Sequence, residues 1–365
     1  AEVQDAQTIV LTDNTGGSFF SVLELEGFQS GTTHNWLLGA ATTATSAGFG
    51  GDPHNATDGV ISAGCCSQLW HGSGANSALT IRLPLPKTLD QMNFYGRQGC
   101  CPERADDFPL QIFDSSGTEV FNQQVLNAGT SSAGGVPFNI QLGSLGAADA
   151  FPPMKLNLQN ATATFDQGGG FEIATAIDGN LDFSNGWAIF GQQAQNQTAV
   201  FQTDSPISAT ELTIDLMHRS QFDAHKIQDF RLSVTSDPNP TATDGSINWT
   251  ELTPSEAGTS DPNTDAIIDL VNNIVEVSGS SNDVPDNYQI VANGVFDDIT
   301  GFRLEVFPGD NGTIGFPGSN GNIVLTEFMV TASNAPVPEP ASIAIWSLLG
   351  LVLGGYGYVR VRRRK

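Results

Sequence analysis

The fold prediction depends first on one segment: Gln91-Met-Asn-Phe-Tyr-Gly-Arg-Gln-Gly-Cys-Cys-Pro-Glu-Arg-Ala-Asp-Asp-Phe-Pro-Leu-Gln-Ile-Phe113. Apolar residues recur in the short runs at 91–95 and 110–113, and the loop between them is rich in glycine, proline and charge. Short apolar runs separated by such loops predict the strands of an antiparallel β-sandwich. The same pattern continues to about residue 333, so we predict an all-β protein.

Proline-rich breaks divide this pattern, because proline interrupts strand ladders and stiffens connections. Pro152-Pro153 and the segment 237–240 are the two breaks. We therefore predict two or three jelly-roll β-sandwiches in tandem, over residues 1–150, 154–236 and 244–333. Whether the last two are separate or merged stays open. The predicted strands are Thr8–Leu11, Phe19–Leu25, Leu79–Leu83, Gln91–Tyr95, Leu110–Phe113, Glu119–Val125, Phe138–Leu142, Lys155–Leu158, Ala161–Phe165, Trp187–Phe190, Ala199–Thr203, Glu211–Met217, Phe230–Thr235, Asn248–Leu252, Val275–Ser278, Tyr288–Ala292, Thr300–Phe307 and Asn322–Thr331, with one helix-like stretch at Asp265–Asn272.

Charge limits the classes of partner. The 365 residues include 39 Asp and Glu against 14 Lys and Arg, and the formal net charge is −25. Five of the basic residues lie in the last six positions, so the rest of the chain carries nine. Such an acidic surface argues against nucleic acid and anionic lipid as partners.

The C-terminal segment 336–365 indicates passage across a membrane. Pro336-Val-Pro-Glu-Pro340 is followed by an uncharged, mostly apolar run at 341–359 and then by Arg360-Val-Arg-Arg-Arg-Lys365. The run is long enough to span a bilayer as one transmembrane helix. By the positive-inside rule, its basic end lies in the cytoplasm. No N-terminal signal peptide is visible, and Ala1 is typical of the start of a mature chain after signal removal.

This tail resembles the PEP-CTERM sorting signal of Gram-negative bacteria. The resemblance implies export, recognition by an exosortase, removal of the tail and display at the cell surface or in the extracellular matrix. The alternative is a permanent single-pass anchor.

A cluster of polar and sulfur-containing residues predicts a binding site in the first segment. Arg97 and Arg104 flank the adjacent pair Cys100-Cys101, and His71 lies upstream. Two guanidinium groups can donate hydrogen bonds to vicinal hydroxyls of a sugar, and a neutral imidazole can add one more contact.

Here the chain resembles the F-type lectins, the fucose-binding fucolectins of the discoidin-like, galactose-binding fold. The resemblance implies a glycan site at His71, Arg97 and Arg104, with a vicinal disulfide Cys100–Cys101. It also implies a Ca²⁺ loop at Asn55-Ala-Thr-Asp58-Gly, with Asn55 and Asp58 as ligands. Gly99 stands where the family usually has an acidic residue.

Strand order departs from that family in one place. Phe20–Glu26 looks like the strand that usually closes such a domain, yet it comes first. We predict a permuted arrangement in which this strand lies beside the other terminus of the domain.

The four cysteines leave several pairings open. An exported chain is expected to contain disulfides. Cys65-Cys66 and Cys100-Cys101 can each close on themselves, or the two pairs can cross-link in either of two ways.

The second and third segments resemble jelly-roll modules of large exported planctomycete-type proteins. Ala176-Ile-Asp-Gly179 and Gly186-Trp-Ala-Ile189 carry the resemblance in the second, and Ile299–Glu305 carries it in the third. Asp178-Gly179 repeats Asp58-Gly59, which predicts an equivalent turn.

Two functions remain after a search for catalytic motifs. The sequence contains no GxSxG, HExxH or P-loop motif, and no carboxylate pair stands out, so we predict no enzyme activity. The first function is an exported, calcium-dependent, lectin-like glycan-binding protein. The second is a structural matrix or surface scaffold without glycan binding, and a targeting subunit for a separate enzyme is a third, minor interpretation.

Overall fold

The computed structural model describes residues 2–14, 19–29, 32–61, 66–143, 153–219, 222, 224–279 and 285–333. Of Cys66 only the backbone is described. Strands dominate these residues, which confirms the β-rich character predicted from the sequence. Buried apolar side chains form two large clusters, one contributed by residues 3–142 and the other by residues 156–332. We refer to 2–143 as the N-terminal domain and to 153–333 as the C-terminal domain.

The elements of the N-terminal domain are β1 Val3–Thr12, β2 Ser21–Phe28, β3 Ala41–Ala44, β4 Trp70–His71, β5 Ala78–Leu89, β6 Gln91–Gly96, β7 Phe108–Asp114, β8 Glu119–Val125, the short helix α1 Ala128–Ser132 and β9 Phe138–Gln141. Three 3-10 turns, at Pro53–Thr57, Cys66–Gln68 and Pro102–Ala105, complete it. The strands form a sandwich of two antiparallel sheets, with strand orders β3-β5-β1-β7-β8 and β4-β2-β6-β9.

Alternation places the apolar residues of these strands in the core. In β1, Ile9 and Leu11 are fully buried while the residue between them is not. In the paired strand β5, Leu79 and Ile81 are fully buried in the same way. Side chains on a strand point alternately to opposite faces, so both strands present their apolar face to the other sheet.

The predicted position of the first domain's early strand is wrong. β2 pairs with β4 and β6, and β6 in turn pairs with β9, so β6 separates β2 from the end of the domain. A strand's sequence pattern reports which face is buried and carries no information about its neighbour.

The C-terminal domain contains a ten-stranded sheet and a small β12-β20 ladder. Strands from both predicted segments, 154–236 and 244–333, interleave in the large sheet and share one apolar cluster. The break at 237–240 therefore lies within this domain. Its strands are β10 Met154–Lys155, β11 Leu158–Ala163, β12 Trp187–Ala188, β13 Gln197–His218, β14 Asp229–Thr235, β15 Thr250–Glu251, β16 Glu256–Thr259, β17 Thr264–Asp269, β18 Ile274–Gly279, β19 Asp286–Phe307, β20 Val324–Leu325 and β21 Glu327–Ser333; a 3-10 turn spans Ile173–Ile177.

Two long strands each span two predicted strands, and the predicted helix is a strand. β13 and β19 each join two predicted strands, and their pairing shifts register near Ile207 and Ala209. Such shifts are β-bulges, which bend a strand without ending it. The prediction of a helix-like stretch at 265–272 is wrong, because residues 264–269 form strand β17, which pairs with β18.

The predicted sorting signal and transmembrane helix, 336–365, lie outside the described residues. Within the ranges that the structure describes, no helix is long and apolar enough to cross a membrane.

Candidate functional site

His71 lies on β4 directly opposite Ser21 of β2. The two side chains are joined by a hydrogen bond of 2.8 Å between Ser21 Oγ and His71 Nδ1. Burial, with the charges of Arg97 and Arg104, lowers the pKa of His71 to about 4. The imidazole is therefore neutral at physiological pH, and its buried Nε2 has no hydrogen-bond partner in the described part of the chain.

The two predicted arginines approach this imidazole from one loop. Arg97 follows β6 and is buried, whereas Arg104 lies in the 3-10 turn at 102–105 and is partly exposed. The charges of both arginines contribute to the lowered pKa of His71, so both lie in its neighbourhood.

Neighbouring acidic residues do not neutralise Arg104. Asp106 instead accepts hydrogen bonds from the N–H and Oγ1 of Thr130, at 2.6 and 2.7 Å. Asp107 accepts the N–H of Asn127 at 3.3 Å. Among the described residues Arg104 makes no ion pair, so its charge remains available on the surface.

Two phenylalanines that the sequence analysis did not select complete the cluster. The Arg104 guanidinium lies 5.1 Å from the centroid of the Phe19 ring. Phe49, which is 61% exposed, lies 4.7 Å from Phe19 and 5.9 Å from His71 between ring centroids. We call His71, Arg97, Arg104, Phe19 and Phe49 the arginine–phenylalanine cluster. The sequence offered no signal for Phe49, because its exposure and its neighbours both depend on how two distant loops fold.

The predicted vicinal disulfide is absent from the structure. Cys100 and Cys101 are thiols with their sulfur atoms 3.3 Å apart. A disulfide requires about 2.05 Å, and the pair makes an S–H···S hydrogen bond instead, which raises the pKa of Cys101. Cys65 and the Cys66 side chain lie outside the described residues.

The predicted calcium residues lie in a loop at 52–60, which we call the first loop. It contains the 3-10 turn Pro53–Thr57 and ends on Asp58 and Gly59. Asn55 Nδ2 donates to the carbonyl oxygen of Ser67 at 2.9 Å, and Asp58 Oδ1 accepts the Val60 N–H at 2.8 Å. Burial raises the pKa of Asp58 to about 6.

The first loop already binds a protein cation. The loop carbonyl oxygens of His54 and Thr57 accept hydrogen bonds from the guanidinium of Arg219, a residue of the C-terminal domain. A Ca²⁺ ion requires several oxygen ligands, and it would compete with this guanidinium for the same loop.

A second loop, at 172–185, repeats the first in the C-terminal domain. Its 3-10 turn Ile173–Ile177 is followed by Asp178 and Gly179. Asp178 Oδ1 accepts the Asn180 N–H at 2.8 Å, and Gly179 donates its N–H to Glu327 at 3.2 Å. The predicted equivalence of the two turns is thus confirmed.

Oxygens converge in the second loop on one amide group. Asn185 Nδ2 lies 3.2 Å from the Thr175 oxygen, 3.0 Å from Asp178 Oδ1 and 2.9 Å from the Asn180 oxygen. Burial raises the pKa of the nearby Glu327 to about 8. In the described ranges, no group of three or more His, Cys, Asp or Glu side chains is arranged to hold a metal ion, so a cation here would depend on these carbonyl and amide oxygens.

The two loops face each other across a cavity of about 410 Å³ between the domains. Asp58 and Val60 line one side, Asn180 and Asp182 line the other, and Arg219 contributes to the wall.

Comparisons with known proteins do not assign the chain to a family. No family model matches it, and no curated protein matches it. Similar solved structures include a chitosan-binding module of a Paenibacillus chitosanase/glucanase, at 18% identity, covering 48% of this chain and 95% of that chain with a TM-score of 0.28.

Two further neighbours come from Clostridium perfringens. A family 32 carbohydrate-binding module in complex with GalNAc-β-1,3-galactose has 16% identity, covers 48% of this chain and 99% of that chain, and gives a TM-score of 0.31. A family 32 module in complex with galactose has 15% identity. The match covers 49% of this chain and 98% of that chain, and its TM-score is 0.26. Likeness of this size carries no argument about function, so the proposals below rest on the residues.

Proposed function

We propose that this protein binds carbohydrate at the arginine–phenylalanine cluster. The observation that carries the proposal is the exposed Phe49 ring and the partly exposed Arg104 guanidinium, both of which lie against the half-buried Phe19. Guanidinium groups supply rigidly placed donors for hydroxyl oxygens, and Phe49 supplies an apolar surface for the C–H face of a sugar ring. The neutral His71 is fully buried and packs against Phe49.

Fucose is the first sugar to test, because the residues in this cluster resemble those of the F-type lectins. The tail at 336–365 leads us to propose that the protein is exported, sorted by an exosortase and displayed outside the cell. Binding without catalysis is the activity proposed for the described domains.

A glycan array with the full-length chain tests the proposal. We expect Arg104→Ala to weaken binding about 10- to 100-fold, because a hydrogen bond to a charged group contributes about 1.5–3 kcal/mol. Phe49→Ala should also weaken binding. Phe190→Ala is the matched control, because Phe190 has a similar exposure, 52%, but lies in the C-terminal domain.

The outcome separates binding from the scaffold alternative. Loss of binding in Arg104→Ala and Phe49→Ala, with Phe190→Ala unaffected, supports the cluster as the glycan site. A wild-type chain that binds no glycan on the array would leave the scaffold as the better explanation.

We propose that calcium, predicted for the first loop, binds instead in the second. The oxygens of Thr175, Asp178 and Asn180 already surround one point. Rotation of the Asn185 amide by a half-turn would add its oxygen, and Glu327 lies beside Gly179. Hard oxygen ligands of this kind suit Ca²⁺, and the ion would stabilise the C-terminal domain.

Measurement of Tm by differential scanning calorimetry, with and without CaCl₂, tests this assignment. Asp178→Asn should abolish the calcium-induced rise in Tm, and Asp58→Asn should leave it unchanged. A rise that survives Asp178→Asn would place any calcium elsewhere.

A further inference from the structure

Arg219 follows β13 at the edge of the C-terminal domain, and its side chain extends into the N-terminal domain. It is only 1% exposed. Its backbone N–H donates to Thr326 Oγ1 at 2.9 Å, which fixes the start of the side chain. The guanidinium then reaches the first loop, where Nη2 donates to the His54 oxygen at 2.8 Å and Nη1 to the Thr57 oxygen at 3.3 Å.

The first loop is otherwise strongly acidic. Burial lowers the pKa of Arg219, but the carboxylates of Asp58, Glu24 and Asp52 act in the opposite direction, in that order. A buried cation is tolerated only where anions and hydrogen-bond acceptors replace its lost water. Arg219 has both.

Glu24 is a buried acid beside the first loop. It lies on β2, it is completely buried, and neither of its carboxyl oxygens has a hydrogen-bond partner among the described residues. Burial raises the pKa of Glu24 well above its usual value, and the charge of Asp58 raises it further. The charge of Arg219 acts in the opposite direction.

Residues of both domains pack beside Arg219. Met217, two residues before it, joins an apolar cluster with Leu181, Met329 and Leu38, of which only Leu38 belongs to the N-terminal domain. A Cβ atom at Gly39 would lie 2.5 Å from the Met217 sulfur, so a side chain at 39 would block the contact. On the other side, the Phe183 ring lies 5.7 Å from the guanidinium.

We propose that Arg219 is the resident cation of the first loop: it takes the place that a metal ion would hold among the loop oxygens, and it fastens the two domains together. The ligand of this loop is therefore a side chain of the same polypeptide. This inference depends neither on glycan binding nor on calcium in the second loop.

The test is a calcium titration of the full-length chain, with Tm as the readout, in an Asp178→Asn background that removes the second loop's contribution. With Arg219 intact, we expect no calcium-induced rise in Tm. Arg219→Ala should lower Tm by roughly 10 °C and should gain a calcium-induced rise. Adding Asp58→Asn to Arg219→Ala should remove that gain.

Arg219→Lys is the conservative variant, and it should stay indifferent to calcium because it keeps the charge. The comparison of intact Arg219 with and without Asp58→Asn keeps the guanidinium and its hydrogen bonds to the loop carbonyls. A calcium-induced rise that depends on Asp58 while Arg219 is present would overturn the proposal. So would an Arg219→Ala chain that stays indifferent to millimolar calcium, since an arginine with a merely structural role would leave no cation site behind.

Discussion

The first and second loops share a backbone conformation but differ in the group that donates hydrogen bonds to their oxygens. Asp58 and Asp178 have φ/ψ of −94°/−3° and −91°/−2°, and the following glycines have φ of +81° and +74°. In the first loop the donor is the guanidinium of Arg219, from the other domain. In the second it is the uncharged amide of Asn185, from the same loop.

The difference teaches that a local turn motif does not by itself transfer a metal site. Each loop also lies beside a buried carboxylate, Glu24 or Glu327, near its glycine amide. The oxygens of the first loop thus accept hydrogen bonds from a residue of the other domain, Arg219. Those of the second loop accept them from Asn185 of the same loop.

The largest expected effect comes from removing the buried cation. Arg219→Met should lower the free energy of unfolding by about 3–5 kcal/mol, because it leaves buried carboxylates and carbonyls without their partner. Lys155→Met is the matched change beside the second loop, where the lysine is exposed and acts on Glu327 only through its charge; it should have little effect. Urea denaturation of both variants measures the difference, and equal losses would break the comparison.

Next comes the amide of the second loop. Asn185→Leu should cost about 2–3 kcal/mol, since three oxygens lose one shared donor. Asn55→Leu, at a similarly buried position of the first loop, removes a single hydrogen bond and should cost about 1 kcal/mol. Thermal unfolding of the two variants would show whether Asn185 does for its loop what Arg219 does for the other, and a larger loss in Asn55→Leu would contradict this.

A smaller effect separates the two glycines. Both have left-handed φ, so an alanine costs about 1 kcal/mol at either position. At Gly59 the new Cβ would also lie 3.1 Å from Leu38 Cδ1, whereas nothing lies within 4 Å at Gly179. We expect Gly59→Ala to destabilise the chain more than Gly179→Ala when both are measured by urea denaturation; the reverse order would show that the first loop has room to adjust.

The smallest effect concerns pH. His54 is in the first loop, where the second loop has Ala174. Burial lowers the pKa of His54 although Asp52 acts against it, and Arg219 lowers it further. The unfolded chain therefore binds more protons just below about pH 6.5, so this contribution to stability is complete above that pH and is lost as the pH falls.

His54→Ala should flatten the decline in unfolding free energy between pH 7.5 and pH 5. Asp58, whose pKa burial raises to about 6, titrates in the same range in both proteins, so the difference between the two curves is the quantity to compare. Parallel curves for the variant and the wild type would show that the first loop has no such dependence.

Much of the β-strand content was predictable, because alternation is a local property. Glu119–Val125 and Phe230–Thr235 match their strands to within a residue. The middle of β13 could not be predicted, because its polar residues around Pro206 are typical of a loop. Pairing with β19 keeps these residues in one bent strand. The partners of β2 were also beyond a local pattern.

In the candidate glycan site, the charges of Arg97 and Arg104 reach His71, whereas Cys100 and Cys101 are not joined by a disulfide. His71, Arg97 and Arg104 were identified by residue type and order along the chain. Phe19 and Phe49 were missed, since an exposed phenylalanine in a loop carries no local signal of a site.

The sequence by itself determined the all-β character, the acidic surface, and the repetition of an Asp-Gly turn in two domains, because each depends on composition or on residues within one turn. Only the tertiary structure decided that a cation from the other domain binds the oxygens of the first turn. Arg219 and Asp58 are 161 positions apart in the chain, and the desolvation that makes their charges matter exists only after the two domains have packed together.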